Sequence, residues 1–164
     1  MLYFAYGSNM SRKRLEQRIA RVEVIGPARL SEHRLMFHKP GVDGSGKCDI
    51  EYTGHKGDCV HGVLFKIDSS KKAILDRYEG LGFGYDEKTV CVIGPGGKPY
   101  RAITYYATDT EPGLRPYCWY HRHVLEGARE HGLPDEYQRM LEAIEIIEDH
   151  DTERRLRELA VYGE

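Results

Sequence analysis

An α+β fold follows from the order of hydrophobic periodicities along this 164-residue chain. In the first two thirds, short runs alternate large apolar or β-branched residues with polar ones, the period of a strand. In the last third the spacing changes to that of amphipathic helices. Strands and helices segregated in this way argue for α+β and against alternating βαβ units. No internal repeat, low-complexity run or long linker divides the chain. The expectation is one domain over residues 1–164, with a helical extension from about residue 145.

The elements are expected in the following order. Leu2 to Tyr6 is a short aromatic strand, broken by Gly7-Ser8-Asn9. A helix runs from about Ser11 to Ile19, with Ser11 or Asn9 as its N-cap. Val22 to Leu30 and His33 to His38 read as strands, and the Gly- and Pro-rich span Lys39 to Gly46 reads as a loop. Lys47 to Tyr52 and Cys59 to Ile67 are further strands, joined around Gly54 to Asp58. Asp68-Ser69-Ser70 starts a helix that continues through Lys71 to Tyr78. Gly80, Gly82 and Gly84 then crowd together. Tyr85 to Ile93 and Tyr100 to Thr108 make a hairpin around Gly94-Pro95-Gly96-Gly97. Tyr117 to Glu130 is a helix stopped by Gly132. Pro134 begins another, ending near Ile147, and Asp151 caps a last short helix to Val161.

Composition narrows the function classes. Hydrophobic residues make up 40% and charged residues 30% of the chain, which suits a packed globular protein. The net charge of −2, from 24 basic and 26 acidic residues, leaves no electrostatic footprint for nucleic acid or an acidic membrane face. The basic clusters Arg12-Lys13-Arg14 and Arg154-Arg155 are interleaved with Glu and read as solvated helix faces. Cys48, Cys59, Cys91 and Cys118 are scattered, without a C-x-x-C pair. The opening Met1-Leu2-Tyr3-Phe4 lacks a basic lead into an apolar run, and no apolar stretch is long enough to span a bilayer. A cytoplasmic protein with reduced thiols is the expectation.

Two segments carry chemistry. Gly7-Ser8-Asn9 lies between a strand and a helix, where consecutive backbone N–H groups can point into one concavity and suit a carboxylate or polarised carbonyl. On the residues alone a plain connection, with Gly for the turn and Asn for the cap, is the stronger reading. Glu79 falls at the end of a helix, where the dipole disfavours its charge, and burial would add to that effect. Spacing alone does not separate it from Asp76, Asp86 or Glu87. His121 and His123 stand two apart on a helix, so they face different ways and are poor joint metal ligands. Gly94-Pro95-Gly96-Gly97 lacks the Lys-Ser/Thr of a phosphate loop. Trp119 and Tyr120 read as core or pocket wall.

The order of several motifs resembles one family. Tyr3-Phe4-Ala5-Tyr6-Gly7-Ser8-Asn9-Met10 is similar to the F-x-Y-G-S-N opening of γ-glutamylcyclotransferase-like (AIG2-like) proteins. Ala28-Arg29-Leu30 and Arg34-Leu35-Met36-Phe37 follow. Val60-His61-Gly62-Val63-Leu64-Phe65 resembles the family's V-x-G-x-x-[FWY] strand. Leu75-Asp76-Arg77-Tyr78-Glu79-Gly80 resembles its L-D-x-x-E-G segment, with Tyr85 after it, and Gly132-Leu133-Pro134-Asp135-Glu136-Tyr137 its G-L-P-x-x-Y element. The likeness runs from residue 1 to about 145. The Leu81-Gly82-Phe83-Gly84 turn departs from it, being shorter than in the animal enzymes, and lies beside the pocket.

The resemblance implies a small mixed barrel-like sheet with flanking helices and a cavity at one end. It implies that Tyr6, Gly7, Ser8 and Asn9 hold a γ-glutamyl group, that Glu79 is the catalytic acid–base residue, and that Tyr105 (or Tyr106 on a shifted alignment) and Tyr120 line the pocket. It implies cyclisation of a small γ-glutamyl substrate to 5-oxoproline without metal or other cofactor, in a protein that can form a homodimer. A γ-glutamylamine-cleaving or pathway-specific cyclotransferase, and a binding protein that keeps the fold without turnover, are the alternatives.

Overall fold

The computed structural model describes residues 1–163. Strand β1 (Leu2–Ala5) pairs antiparallel with β5 (Cys59–Lys66), and β5 with β2 (Glu23–Ser31). β2 touches β6 (Tyr85–Ile93) at Arg29 and Ile93, and β6 forms a long hairpin with β7 (Pro99–Ala107). β7 returns parallel to β1 at Tyr3 and Ile103, which closes the barrel in the order β1-β5-β2-β6-β7. The barrel and its helices are the α+β, mixed-sheet arrangement that the sequence led us to expect. Tyr3, Phe4 and Ala5 are all buried, so both faces of β1 are covered and its aromatic run does not alternate.

β3 (His33–Pro40) and β4 (Gly46–Tyr52) stand apart as a two-stranded sheet. The span expected as a loop over 39–46 is partly strand, because Lys39 pairs with Lys47 and Pro40 with Gly46. Pro40 sits at the strand end, where its missing N–H breaks no ladder. Buried Asp49 ties this sheet to the barrel. It accepts from the Ala107 N–H at 2.7 Å and meets His38 Nε2 at 2.7 Å.

Among the described residues five α-helices flank the sheets: α1 (Arg12–Ile19), α2 (Lys72–Glu79), α3 (Cys118–Glu130), α4 (Asp135–Glu142) and α5 (Thr152–Leu159). Helix α3 lies directly on the loop that joins β1 to α1. A Cβ on Gly127 would fall 2.4 Å from Met10 Cβ and 2.5 Å from the Ser11 nitrogen, so the absence of a side chain there sets the approach. Asp68 and Asp151 act as the expected caps, accepting at 2.9 Å from the N–H groups of Ser70 and Arg154.

Two expectations need correction. Ser11 occupies the N-cap position of α1 but makes no side-chain capping bond; its Oγ accepts from the Tyr162 hydroxyl at 3.0 Å instead. Helix α4 stops at Glu142, not near Ile147. Ile147 is drawn into a parallel bridge with Tyr117, its N–H donating to Pro116 and its carbonyl accepting from Cys118, each at 3.0 Å. β-Branched Ile144, Ile146 and Ile147 lose little by leaving a helix for extended backbone. No helix among the described residues is long and apolar enough to cross a membrane.

Candidate active site

The end of β1, the last turn of α2, the first turn of α3 and strands β4, β6 and β7 converge on a small cavity. Tyr6, Gly7, Ser8, Asn9, Glu79, Tyr105 and Tyr120 all line it. Tyr3, Cys48 and Tyr85 complete the wall.

Ser8 to Met10 form one 3₁₀ turn, closed by Met10 N–H to the Gly7 carbonyl at 3.0 Å and Ser11 N–H to the Ser8 carbonyl at 3.3 Å. The N–H groups that begin such a turn have no partner within it, which leaves donors at the cavity edge. Gly7 packs so closely that a Cβ would lie 3.0 Å from Cys48 Cβ and 3.3 Å from the Tyr120 hydroxyl. Glu79 is the last residue of α2, and Gly80 ends the helix in the left-handed conformation with φ 71°. That stop turns the chain away and leaves the Glu79 side chain at the cavity.

Asn9 is not a cap, as the plainer reading had it, but the hub of the site. Its Nδ2 donates to Glu79 Oε1 at 2.5 Å and to the Tyr3 hydroxyl at 3.1 Å, while its Oδ1 accepts from Arg18 Nη1 at 2.9 Å. Both amide protons and the amide oxygen are therefore engaged, which fixes its orientation. Arg18 Nη1 also reaches Glu79 Oε1 at 3.3 Å, each side chain being 16% exposed. Burial raises the Glu79 pKa, while the Arg18 charge and the Asn9 bond pull it down.

The tyrosines brace the cavity. Tyr6 donates to the Tyr105 carbonyl at 2.5 Å, Tyr85 to the Cys48 carbonyl at 2.5 Å, and Tyr105 to Asp76 Oδ1 at 2.6 Å. The Tyr120 hydroxyl accepts from the Cys48 N–H at 3.0 Å. Burial drives the hydroxyl pKa values of Tyr3, Tyr6, Tyr85 and Tyr120 upward and the Cys48 thiol to about 12. Glu79 is thus the carboxylate of the lining, and its shift is upward from the ordinary carboxylate range. Of the two alternatives on β7, Tyr105 faces inward and is buried, whereas Tyr106 lies under the Lys88 ammonium 5.2 Å from its ring centre.

In the basic segment of α1, Arg12 and Lys13 are exposed as expected, but Arg14 was misread. Arg14 is 7% exposed, not solvated. It donates to Ser8 Oγ at 3.3 Å, His123 Nε2 at 2.9 Å and Glu158 Oε2 at 2.5 Å. Arg14 and Arg18 are four residues apart, each one position before the buried Leu15 and Ile19, and that spacing was the available signal that they flank the apolar stripe. Arg154 is likewise engaged, gripping buried Asp149 through Nε and Nη2 at 2.6 Å. His121 and His123 diverge as expected, His121 to the Leu141 carbonyl and His123 to Arg14. Among the described residues no cluster of three or more His, Cys, Asp or Glu is placed to hold a metal ion.

Comparison with known proteins gives concordant results. Residues 59–141 match the family model described as the AIG2-like family. The γ-glutamylcyclotransferases of Bos taurus and Homo sapiens are each 35% identical to this chain over 152 residues, which is 88% of the chain and 78% of each relative. A solved structure named γ-glutamyl cyclotransferase superposes with a TM-score of 0.88 at 30% identity, covering 100% of this chain and 99% of that one. Sequence, barrel and cavity agree, and the chain belongs to the AIG2-like γ-glutamylcyclotransferase family.

Proposed function

We propose that the protein is a γ-glutamylcyclotransferase that converts a γ-glutamyl amino acid or peptide to 5-oxoproline and a free amine. The α-amine of the γ-glutamyl group attacks its own γ-carbonyl carbon. A new C–N bond closes the five-membered ring, and the bond to the departing amine breaks. The α-amine enters protonated, so a base must first remove a proton; Glu79 takes it and returns one to the leaving nitrogen. The first N–H groups of the Gly7-Ser8-Asn9 turn hold the substrate carboxylate or the developing oxyanion. Tyr6, Tyr105 and Tyr120 wall the folded substrate in. Asn9 and Arg18 position Glu79 and keep part of its charge.

The observation that carries this reading is Glu79 itself: a buried carboxylate with a raised pKa, held by Asn9 at 2.5 Å in a cavity whose other lining groups do not titrate near neutrality. By the same reading the protein works in the reducing cytosol, its four cysteines free, and forms a homodimer as family members do. Glu79→Gln keeps the shape and removes the base. It should lower kcat for 5-oxoproline release by about 100-fold or more. Wild-type kcat in this variant would rule out the assignment.

A further inference from the structure

The cavity around Glu79 opens into a second, wider basin, and Ser8, Glu79, Tyr85 and Tyr120 line both. The basin differs from the cavity in charge. Arg14, Arg18, Lys39, Lys47 and Arg77 line it, against the single carboxylate of Glu79. Three of these cations are already paired: Arg14 with Glu158, Arg18 with Glu79 and Lys47 with Asp43. Lys39 and Arg77 have no carboxylate within 4.0 Å among the described residues.

Arg77 is exposed, and water solvates it. Lys39 is half-buried on β3, with one recorded bond, to the Pro40 carbonyl at 2.7 Å. Its ammonium sits 5.0 Å from the ring centre of Tyr85, at the wall shared by cavity and basin. Gly84 lies against its stem: a Cβ there would be 2.9 Å from Lys39 Cε, and its φ of 116° excludes most side chains in any case. The turn that follows Glu79 is therefore shaped around this lysine. Asp109, Asp43 and Glu79 act on Lys39 only from beyond ion-pair range, and burial lowers its pKa. A half-buried ammonium with donors to spare, at the mouth of an anion-poor basin, is built for an anion that arrives with the substrate.

We infer that Lys39 binds a carboxylate on the leaving group, so that the enzyme selects γ-glutamyl derivatives of amino acids or peptides over those of neutral amines. The inference rests on the cyclotransferase reading. With the γ-glutamyl end in the inner cavity, the scissile nitrogen lies at the mouth. The carboxylate of a leaving α-amino acid is two bonds beyond it, on the basin side. Lys39 does not touch the reacting atoms; it sets which amine is carried out.

The test compares γ-glutamyl-alanine with γ-glutamyl-alaninamide, which differ only in that carboxylate, in wild type, Lys39→Gln and Lys39→Arg. The ratio of kcat/KM on the acid to that on the amide is the readout, because loss of the Lys39 charge also acts on Glu79 and alters both substrates alike. Wild type should prefer the acid by roughly tenfold or more, the effect of one charge-assisted hydrogen bond. Lys39→Gln should bring the ratio close to one, and Lys39→Arg should keep a preference for the acid. Equal turnover of both substrates by wild type, or an unchanged ratio in Lys39→Gln, overturns the inference while the cyclotransferase reading stands. Release of 5-oxoproline from neither substrate overturns both.

Discussion

Helix α5 is tied to Arg14, in the wall of the wider basin, through the Glu158 carboxylate, and replacing Glu158 by Gln tests what that pair contributes. Glu158 Oε2 accepts from Arg14 Nη1 at 2.5 Å across 144 positions of sequence. The same Arg14 Nη1 donates to His123 Nε2, which leaves the His123 Nδ1 proton for the Tyr162 hydroxyl at 2.8 Å; that hydroxyl in turn donates to Ser11. Burial raises the Glu158 pKa, but the His123 contact and the Arg14 charge outweigh it, and a value of 4.5 in an exposed chain becomes about 2. At 1.36 kcal/mol per pKa unit, that difference contributes about 3 kcal/mol. The Arg14 pKa is itself lowered, by burial and by Arg18 nearby. The guanidinium nevertheless stays charged, so the carboxylate gauges the pair better. Stripping one partner from a fully buried pair costs about 3–5 kcal/mol; with Glu158 24% exposed, this pair belongs at or below the lower end of that range. Glu158→Gln should therefore lower Tm at pH 7 by about 6–12 °C for a chain of this size.

The pH dependence gives a sharper check. A depressed folded-state pKa makes the contribution complete above about pH 4.5 and lost as the pH falls through about 2. By about pH 3 the difference between wild type and variant should have shrunk to less than half. His123, whose pKa burial lowers from 6.5 to about 4, weakens both proteins as the pH falls from 6.5 to 4, so the difference in Tm is the quantity to follow. A Tm at pH 7 within about 2 °C of wild type, or a difference that grows toward acid, would refute the reasoning.

Two further substitutions probe the site and its support. Arg18→Gln removes the cation beside Glu79, whose pKa should rise; since the base acts deprotonated, the acidic limb of the kcat/KM profile should move to higher pH, whereas Arg18→Lys should leave it near wild type. A limb that stays in place in Arg18→Gln would show that the pair does not tune the base. Gly127→Ala pushes a methyl group into Met10 and the start of α1, and should cost about 1–3 kcal/mol in chemical denaturation, together with a raised KM because Met10 closes the Ser8–Met10 turn. Unchanged stability would mean that α3 can back away from the loop.

The fold was legible wherever local pattern decides it. Apolar, aromatic or alternating runs marked the seven strands of the described residues, and Asp68, Asp151 and Gly132 punctuated the helices as expected. Strand order was not legible, because the closure of β7 on β1 and the separation of β3–β4 depend on pairings between distant segments. The same distinction governs the site. Tyr6 to Asn9 and Glu79 stand out through short motifs, and the cavity brings them together. Arg14 and Arg18 did not stand out. A basic residue among glutamates on a helix looks solvated until its partners are known, and here these are Glu158, His123, Asn9 and Glu79, all from other elements. Tyr3, Cys48 and Tyr85 were missed for a related reason: each is apolar enough to pass as core, and each is core on all sides but one.

Arg18 bears on how one carboxylate could serve as both base and acid in the proposed reaction. Burial at the C-terminal end of α2 pushes Glu79 toward the neutral form. Burial alone would push it further toward the protonated form, which cannot take a proton from an amine. A fully exposed ion pair with Arg18 would have the opposite defect, a carboxylate too weak as a base to accept the proton. The structure sets the two effects against each other. Arg18 stands at 3.3 Å, farther than a tight charged bond, and Asn9, a neutral donor, takes the closer position at 2.5 Å. Arg18 is itself shared with the Asn9 carbonyl and stacked 5.2 Å from the Tyr78 ring centre, so its charge is divided among partners. Moving the cation one bond closer, or replacing Asn9 by an aspartate that competes for it, would upset this balance from either side. If Glu79 is the proton carrier proposed above, burial sets the direction of its shift and the order of partners around it limits how far that shift goes.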